Sequence, residues 1–275
     1  MRTLSDNKNF LAIKYKRNDR HNLFVKTLKN RIDNYFAENK ISKYANSFVF
    51  FKIILILIIF LGSYALMISN KFSQSIDLLL GTICGLSTVL IVMNIGHDAA
   101  HNALSVSKKL NGFLCWSIEL AGISHSLWKI NHNIIHHPYP NVIPVDSEIN
   151  IAIPFVRFSH LLPKSRFHRY QHIYAPFVYL LFTLNLILVR DIQDSRIFPK
   201  QCSQKVVTHF PLNHYVILFL SKIFYLSYSV FLPMMILDIV WWKVLLGFLF
   251  VHAVMSIFEL VIQLPLHINE HSPIL

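Results

Sequence analysis

Charge, cysteine and glycine are all scarce in this chain of 275 residues, and each shortage excludes a class of protein. Only 15% of the residues are charged while 54% are hydrophobic, which is not the composition of an ordinary soluble domain. The three cysteines are isolated and form no CxxC pair, which argues against structural zinc, iron–sulfur clusters and a disulfide scaffold. The seven glycines form no GxGxxG motif, so the sequence predicts no nicotinamide or flavin domain.

Acidic residues are also few, with 14 Asp and Glu against 26 Lys and Arg. The imbalance is largest before Ser47, where eleven residues are basic and four are acidic. Nucleic-acid binding is one interpretation, but a basic segment before a first transmembrane helix is commoner, because it stays in the cytoplasm beside anionic lipid. We therefore interpret residues 1–46 as a basic cytoplasmic arm and expect no nucleic-acid partner. Apolar residues from Phe24 to Phe36 recur at helical spacing, which is typical of a helix on the membrane surface.

Long hydrophobic runs are the most abundant feature, and four of them approach the roughly 20 residues that cross a bilayer. They cover residues 48–68, 78–95, 215–237 and 241–264. A fifth run, 175–189, is shorter, and the basic residues after it favour the cytoplasmic side, so we expect it to lie in the interface or to re-enter. The sequence predicts an all-α integral membrane protein whose four transmembrane helices form two hairpins. Gly81 and Gly85 predict close packing between helices within the chain.

Histidine is plentiful, with 15 residues, and five of these form two clusters beside membrane-spanning sequence. His97 and His101 are four residues apart, so one helical turn presents both on the same face. His132 and His136 repeat that spacing, and His137 is turned about 100° away from His136. Because the second span ends just before His97, cytoplasmic and interfacial helices should carry both clusters. Nitrogen ligands without cysteine fit iron or zinc.

Hydrolytic zinc is the weaker of these two metal chemistries. A zinc peptidase usually places a glutamate base inside an HExxH motif, whereas Asp98 follows the first histidine and neither cluster contains glutamate. Redox iron is therefore favoured. We expect Asp98 either to orient a ligand imidazole or to cap a helix end. His125 is expected to be a buried histidine or a hydrogen-bonding partner of the clusters.

The remaining histidines that stand out favour structural roles. His168 and His172 lie among arginines, which is typical of a basic interfacial helix contacting phosphates or a head group rather than of a metal site. His252 lies inside an apolar span, which favours a polar packing contact between helices. Trp128, just before the second cluster, is typical either of an acyl channel wall or of the membrane interface.

Two segments carry a family resemblance: GHDAAHN at 96–102 and WKINHNIIHH at 128–137 resemble the histidine boxes of membrane fatty-acid desaturases. The stretch FHRYQHIYA at 167–175 and the arm's end NKISKY at 39–44 are similar to the bacterial acyl-lipid or linoleoyl-CoA desaturase-like branch. The resemblance implies a desaturase-type membrane domain over 47–275, with its active site on the cytoplasmic side. It implies the metal ligands His97, His101, His132, His136, His137 and His267, with Gln263 as the amide residue four positions before His267.

The resemblance also implies two iron ions, O2 as co-substrate and a fatty-acyl lipid or acyl-CoA as substrate. Electrons would come from an external donor such as ferredoxin or cytochrome b5 with its reductase. The reaction would remove two hydrogens from an acyl chain, which needs an oxidant that side chains do not supply. Two alternatives stay open. One is a related diiron hydroxylase, because the boxes do not distinguish oxygen insertion from desaturation. The other is an inactive membrane protein with the same fold.

The sequence departs from the family after its last span, where desaturases carry a third box of the type QxxHH or HxxHH. After His137 no two histidines are adjacent, and His271, four residues beyond His267, does not match that box. We therefore expect the chain to be truncated before the family's C-terminal part. With so few ligands for two ions, we expect residues 1–275 alone to bind iron weakly and to be nearly inactive.

Overall fold

The structure is a computed structural model that describes residues 18–142, 146, 155–159, 162–201 and 212–267, apart from the side chains of 197–201 and 267. Helices dominate the described part of the chain. In chain order they are α1 (Asp19–Glu38), α2 (Ser47–Ile68), α3 (Gln74–Ala100), α4 (Lys108–Cys115), α5 (His125–Ile130), α6 (Gln171–Tyr179), α7 (Phe182–Asn185, continuing to Gln201), α8 (Leu212–Ile236) and α9 (Trp241–His267).

Four of these helices, α2, α3, α8 and α9, are long and apolar enough to cross a membrane. They confirm the four predicted spans, with bounds that differ by a few residues at most ends. Helix α2 begins where Asn46 accepts a hydrogen bond from the backbone N–H of Val49 at 3.0 Å, which satisfies one of the unpaired donors of a helix start. Residues 69–73 join α2 to α3, and residues 237–240 join α8 to α9, so the spans form two hairpins.

Small residues allow α3 to pack closely against α9. A Cβ atom on Gly85 would lie 3.2 Å from the Val251 carbonyl oxygen and 3.2 Å from a methyl carbon of Val254. A Cβ atom on Gly81 would lie 3.6 Å from Phe250 and Val251. The GxxxG spacing therefore serves packing within the chain, as predicted, because glycine lets the two backbones approach.

His252 is fully buried where α7, α8 and α9 meet. The Thr183 hydroxyl donates to the His252 carbonyl oxygen at 3.1 Å and lies 2.9 Å from Nδ1, so Nδ1–H donates to Thr183. Nε2 then accepts a hydrogen bond from the Tyr225 hydroxyl at 2.8 Å. The imidazole is satisfied on both sides, and this confirms its interpretation as a packing contact.

The ambiguous run 175–189 does not form one straight helix. Arg166–Tyr179 and Phe182–Arg196 meet at an angle of 75° across two residues. By length and composition the pair is compatible with a broken span or a re-entrant segment. Buried charges hold the second half in place, because the Lys222 ammonium on α8 donates to the Asp191 carboxylate at 2.5 Å and to the Gly122 carbonyl at 2.6 Å.

Candidate metal centre

The first histidine cluster lies at the end of α3, which continues through a π-helical turn at Val92–Gly96 into His97–Ala100. Gly96 packs against the 3-10 turn at Trp116–Ala121, and a Cβ atom there would lie 2.2 Å from Cγ1 of Ile118. Only glycine fits this contact, since Ile118 is fully buried. This close contact anchors the end of α3, and with it the first cluster, to the buried core.

The second cluster follows α5, in a π-helical turn at Asn131–His136. Leu127 and Ile135 are buried together in a small hydrophobic core beneath it. The Asn133 amide donates to the carbonyl oxygen of Ala100 at 3.1 Å. This hydrogen bond joins the two clusters directly, although they are more than 30 residues apart in sequence.

Four imidazoles converge at this junction, and their candidate ligand nitrogens all lie within 4.8 Å of one another. Two nitrogens on one ion stand at most about 4.2 Å apart when each metal–nitrogen bond is about 2.1 Å, so small side-chain adjustments would complete ligation. Nε2 of His101 and Nε2 of His137 are already 3.2 Å apart. The four residues, two half-buried and two exposed, are His97, His101, His132 and His137.

His136 lies beside this group but is held differently. Its ring is buried, 5.7 Å from that of His132 and 5.6 Å from that of His137. Its Nδ1 lies 3.0 Å from Oδ1 of Asp146, which is fully buried. A carboxylate accepts from Nδ1–H, so this contact sets the tautomer that leaves the Nε2 lone pair for a metal.

Asp146 is the residue that sequence reasoning missed. Its second oxygen accepts a hydrogen bond from the Asn141 backbone N–H at 2.7 Å, so the carboxylate is fixed before it meets His136. The signal in the sequence was a lone acidic residue within ten positions of the second cluster, in a segment too rich in proline to show helical periodicity. Metal-binding histidines commonly donate their other ring N–H to a carboxylate such as this one.

Replacing Asp146 with asparagine should lower the metal affinity of the centre by about 10–100-fold, because the amide no longer fixes the tautomer of His136 with a charge. Titration of the purified chain with Fe²⁺ or Zn²⁺ measures this. The matched control is Asp33→Asn, which removes an exposed carboxylate that pairs with Lys43 on the N-terminal segment. Equal affinities for the two variants would exclude the orienting role of Asp146.

Asp98, His125 and Gln263, which were predicted to support the metal ligands, each have a different hydrogen-bonding partner. Asp98 places Oδ1 3.2 Å from Nδ1 of His97, which suits the predicted orientation of that imidazole. His125 places Nδ1 2.5 Å from Oε1 of Glu119, and its ring lies 4.4 Å from that of Trp116. On α9, the amide of Gln263 donates to Glu259 at 2.5 Å.

The remaining sequence predictions concern histidines outside the two clusters. His267 is the last described residue of α9, and its side chain lies outside the described part of the chain, as does His271. His168 accepts at Nδ1 a hydrogen bond from the Ser165 backbone N–H at 3.0 Å, and it therefore caps a short 3-10 turn. Exposed His172 follows at the start of α6.

The environment of His101 favours its neutral form. Partial burial lowers the pKa of His101, and the neighbouring His97 and His137 lower it further. Neutral imidazole is the form that binds metals. Trp128 stacks on His132 at 4.4 Å with the rings 16° from parallel, so an apolar surface covers one side of the group. The exposed side chains of His101 and His137 face the open side.

Comparison with known proteins adds a second line of evidence. The sequence profile of the family described as "Fatty acid desaturase" matches residues 74–273. The sn-1 linoleoyl-lipid 6-desaturase of Synechocystis is 28% identical over 186 residues, covering 65% of this chain and 52% of that protein. The acyl-lipid (8-3)-desaturase of Physcomitrium patens is 28% identical over 214 residues, covering 76% and 44%.

The chloroplastic acyl-lipid (7-3)-desaturase of Chlamydomonas reinhardtii is 30% identical over 125 residues, covering 44% of this chain and 24% of that protein. The chain thus spans about half or less of the length of these curated relatives. No solved structure matches it. The matched region contains both histidine clusters and all of α3, α5, α8 and α9.

Proposed function

Since this chain belongs to the fatty acid desaturase family, we propose that it is a membrane-bound diiron desaturase that introduces a double bond into a lipid-linked acyl chain. The observation that carries the proposal is the convergence of His97, His101, His132 and His137 within 4.8 Å. The names of the curated relatives, which include acyl-lipid and linoleoyl-lipid desaturases, support a lipid substrate.

The donor set fits iron, because imidazole suits iron and the described part of the cluster contains no cysteine. The four converging histidines would hold the metal, and His136, oriented by Asp146, and His267 would complete the set. When bound, the iron pair supplies the oxidation, in which –CH2–CH2– + O2 + 2 e⁻ + 2 H⁺ gives –CH=CH– + 2 H2O. The two electrons come from an external donor, for which ferredoxin or cytochrome b5 with its reductase are the candidates.

The side chains around the centre would prepare it for an apolar substrate. Trp128 shields His132 from water on one side, and exclusion of water protects a reactive site from side reactions. The open side, with His101 and His137, gives access to the acyl chain and to O2. The net charge of +12 would attract an acidic electron-donor protein and raise its rate of association.

The proposal is tested with two forms of the protein: residues 1–275, and the same chain extended by the third-box segment of the Synechocystis relative. We expect iron and new double bonds in the extended form, and much less of both in the 275-residue form, because six histidines are few for two ions with open positions for O2. Elemental analysis and fatty-acid profiles of expressing cells measure this. Hydroxylated acyl chains would instead identify the related hydroxylase, and iron without any modified lipid would contradict both.

We further propose that the basic arm and the metal centre lie on the cytoplasmic side. In a variant whose native cysteines are replaced by alanine, single cysteines at exposed Tyr44 and Val106 should react with a membrane-impermeant reagent only after permeabilisation. Cysteines at exposed Phe72 and Val240, in the two hairpin loops, should react in intact cells. Reaction at position 44 or 106 in intact cells would refute this orientation.

A further inference from the structure

A cavity of about 550 Å³ lies between the four spanning helices. Its volume is in the range of sites that bind small molecules. Tyr64 of α2 and Tyr228 of α8 form part of the wall, and both hydroxyls are used within the protein: Tyr64 donates to the carbonyl of Tyr228, and Tyr228 donates to that of Leu120. These residues therefore present aromatic faces, and the wall is suited to an apolar chain.

The cavity is separate from the candidate metal centre. Along α3 its lining ends at Thr88, nine residues before His97, which is about 13 Å along a helix axis at 1.5 Å per residue. The intervening core includes Ile91, Ile95 and Ile118, which are 0%, 1% and 0% exposed. This buried core separates the cavity from the histidines along α3.

Two opposite charges lie at the other end of the cavity. Asp77 is in the first turn of α3 and Lys243 is the third residue of α9, and both contribute to the lining. Asp77 is partly exposed, but its Oδ1 is buried without a hydrogen-bond partner. The Lys243 ammonium lies over the ring of Trp242, 5.8 Å from its centroid. Neither Asp77 nor Lys243 forms an ion pair among the residues that the structure describes. A buried carboxylate oxygen without a donor is costly, so a ligand that brings a donor would be favoured.

We propose that this cavity binds one acyl chain of a phospholipid whose head group carries both a phosphate and a primary ammonium. The ammonium donates to Asp77 and the phosphate meets Lys243, while the acyl chain lies between the aromatic walls. A choline head group has no N–H to donate to Oδ1 of Asp77, and an anionic glycerol head group would face the carboxylate unfavourably. The proposal does not depend on the desaturase reaction, because the site lies apart from the histidines.

The chain offers a matched pair of glycines for testing occupancy. Gly247 lines the cavity and Gly62 does not, and a Cβ atom on either would have no heavy atom within 4 Å. Gly247→Leu should fill the cavity and lose most of the bound lipid, while Gly62→Leu should keep it. The probe is dioleoyl phosphatidylethanolamine added to the full chain in detergent, with bound lipid counted by native mass spectrometry. Leu246→Trp, at another exposed lining position, repeats the test if Gly247→Leu does not fold.

The head-group assignment is tested with phosphatidylcholine and phosphatidylglycerol of the same acyl chains. The wild-type chain should prefer the ethanolamine lipid, and Asp77→Asn should reduce that preference by up to about fivefold, the value of a partly exposed ion pair. Lys243→Gln should weaken binding of both zwitterionic lipids. Equal binding of all three lipids by the wild type would overturn the assignment, and unchanged binding by both Gly247→Leu and Leu246→Trp would overturn the site itself.

Discussion

Replacing His101 and His137 together with alanine is expected to abolish metal binding at the candidate centre. Their Nε2 atoms are 3.2 Å apart, and they are two of the four imidazoles whose nitrogens converge. Loss of groups that merely orient metal ligands commonly costs 10–100-fold in affinity, so the loss of two ligands should cost more than about 100-fold. Elemental analysis of the chain extended by the third-box segment, loaded with iron and freed of excess metal, measures this directly, because the 275-residue form alone is expected to hold little iron.

The control is His21→Ala, which removes an exposed imidazole from α1. It should leave the metal content unchanged, and both variants should keep the helical content of the wild type. Either His101→Ala or His137→Ala alone should show a smaller loss than the double variant, because three converging nitrogens would be left. Full metal content in the double variant would mean that other histidines form the centre.

The spans and both clusters could be predicted because their signals are local. A bilayer requires about 20 apolar residues in succession, and α2, α3, α8 and α9 show such runs without interruption. Both clusters lie between the second and third spans, so they were expected on one side of the membrane, and His97 and His101 have the predicted i,i+4 spacing. The second cluster instead contributes His132 and His137, which are five residues apart and are brought together by the π-helical turn at Asn131–His136. The sequence did not distinguish His136 from the other two histidines of its cluster. Its spacing from His132 is the predicted i,i+4, but its ring is buried, whereas His132 is half-buried and His137 is exposed.

The contacts of Glu119 with His125 and of Asp146 with His136 could not be predicted, because they depend on irregular backbone. Glu119 reaches both the ring and the backbone N–H of His125 because Gly122 between them adopts a positive φ of 76°, which only glycine adopts readily. Asp146 meets His136 through a proline-containing segment that has no periodicity. For Glu119 and His125, the pairing is set by one turn whose shape the flanking helices do not encode.

The second prediction with a large effect concerns the glycine before the first cluster. Gly96→Ala should destabilise the fold and displace His97, because its Cβ atom would lie 2.2 Å from Cγ1 of Ile118 and 3.0 Å from Cδ1. Ile118 is fully buried, so its side chain cannot turn out into solvent to relieve the contact. Overpacking of this kind costs about 1–3 kcal/mol, and the displacement should also lower the metal content. Thermal unfolding in detergent and elemental analysis measure the two effects.

A double-mutant cycle with Ile118→Ala tests whether the clash is the cause. Ile118→Ala alone should destabilise by about 2–5 kcal/mol because it leaves a cavity, but in its presence Gly96→Ala should cost little and the metal content should recover. The control is Gly112→Ala, since a Cβ atom on Gly112 of α4 has no heavy atom within 4 Å. If the two destabilisations at positions 96 and 118 simply add, the contact does not couple the histidine cluster to the core, and the anchoring of His97 through Gly96 is wrong.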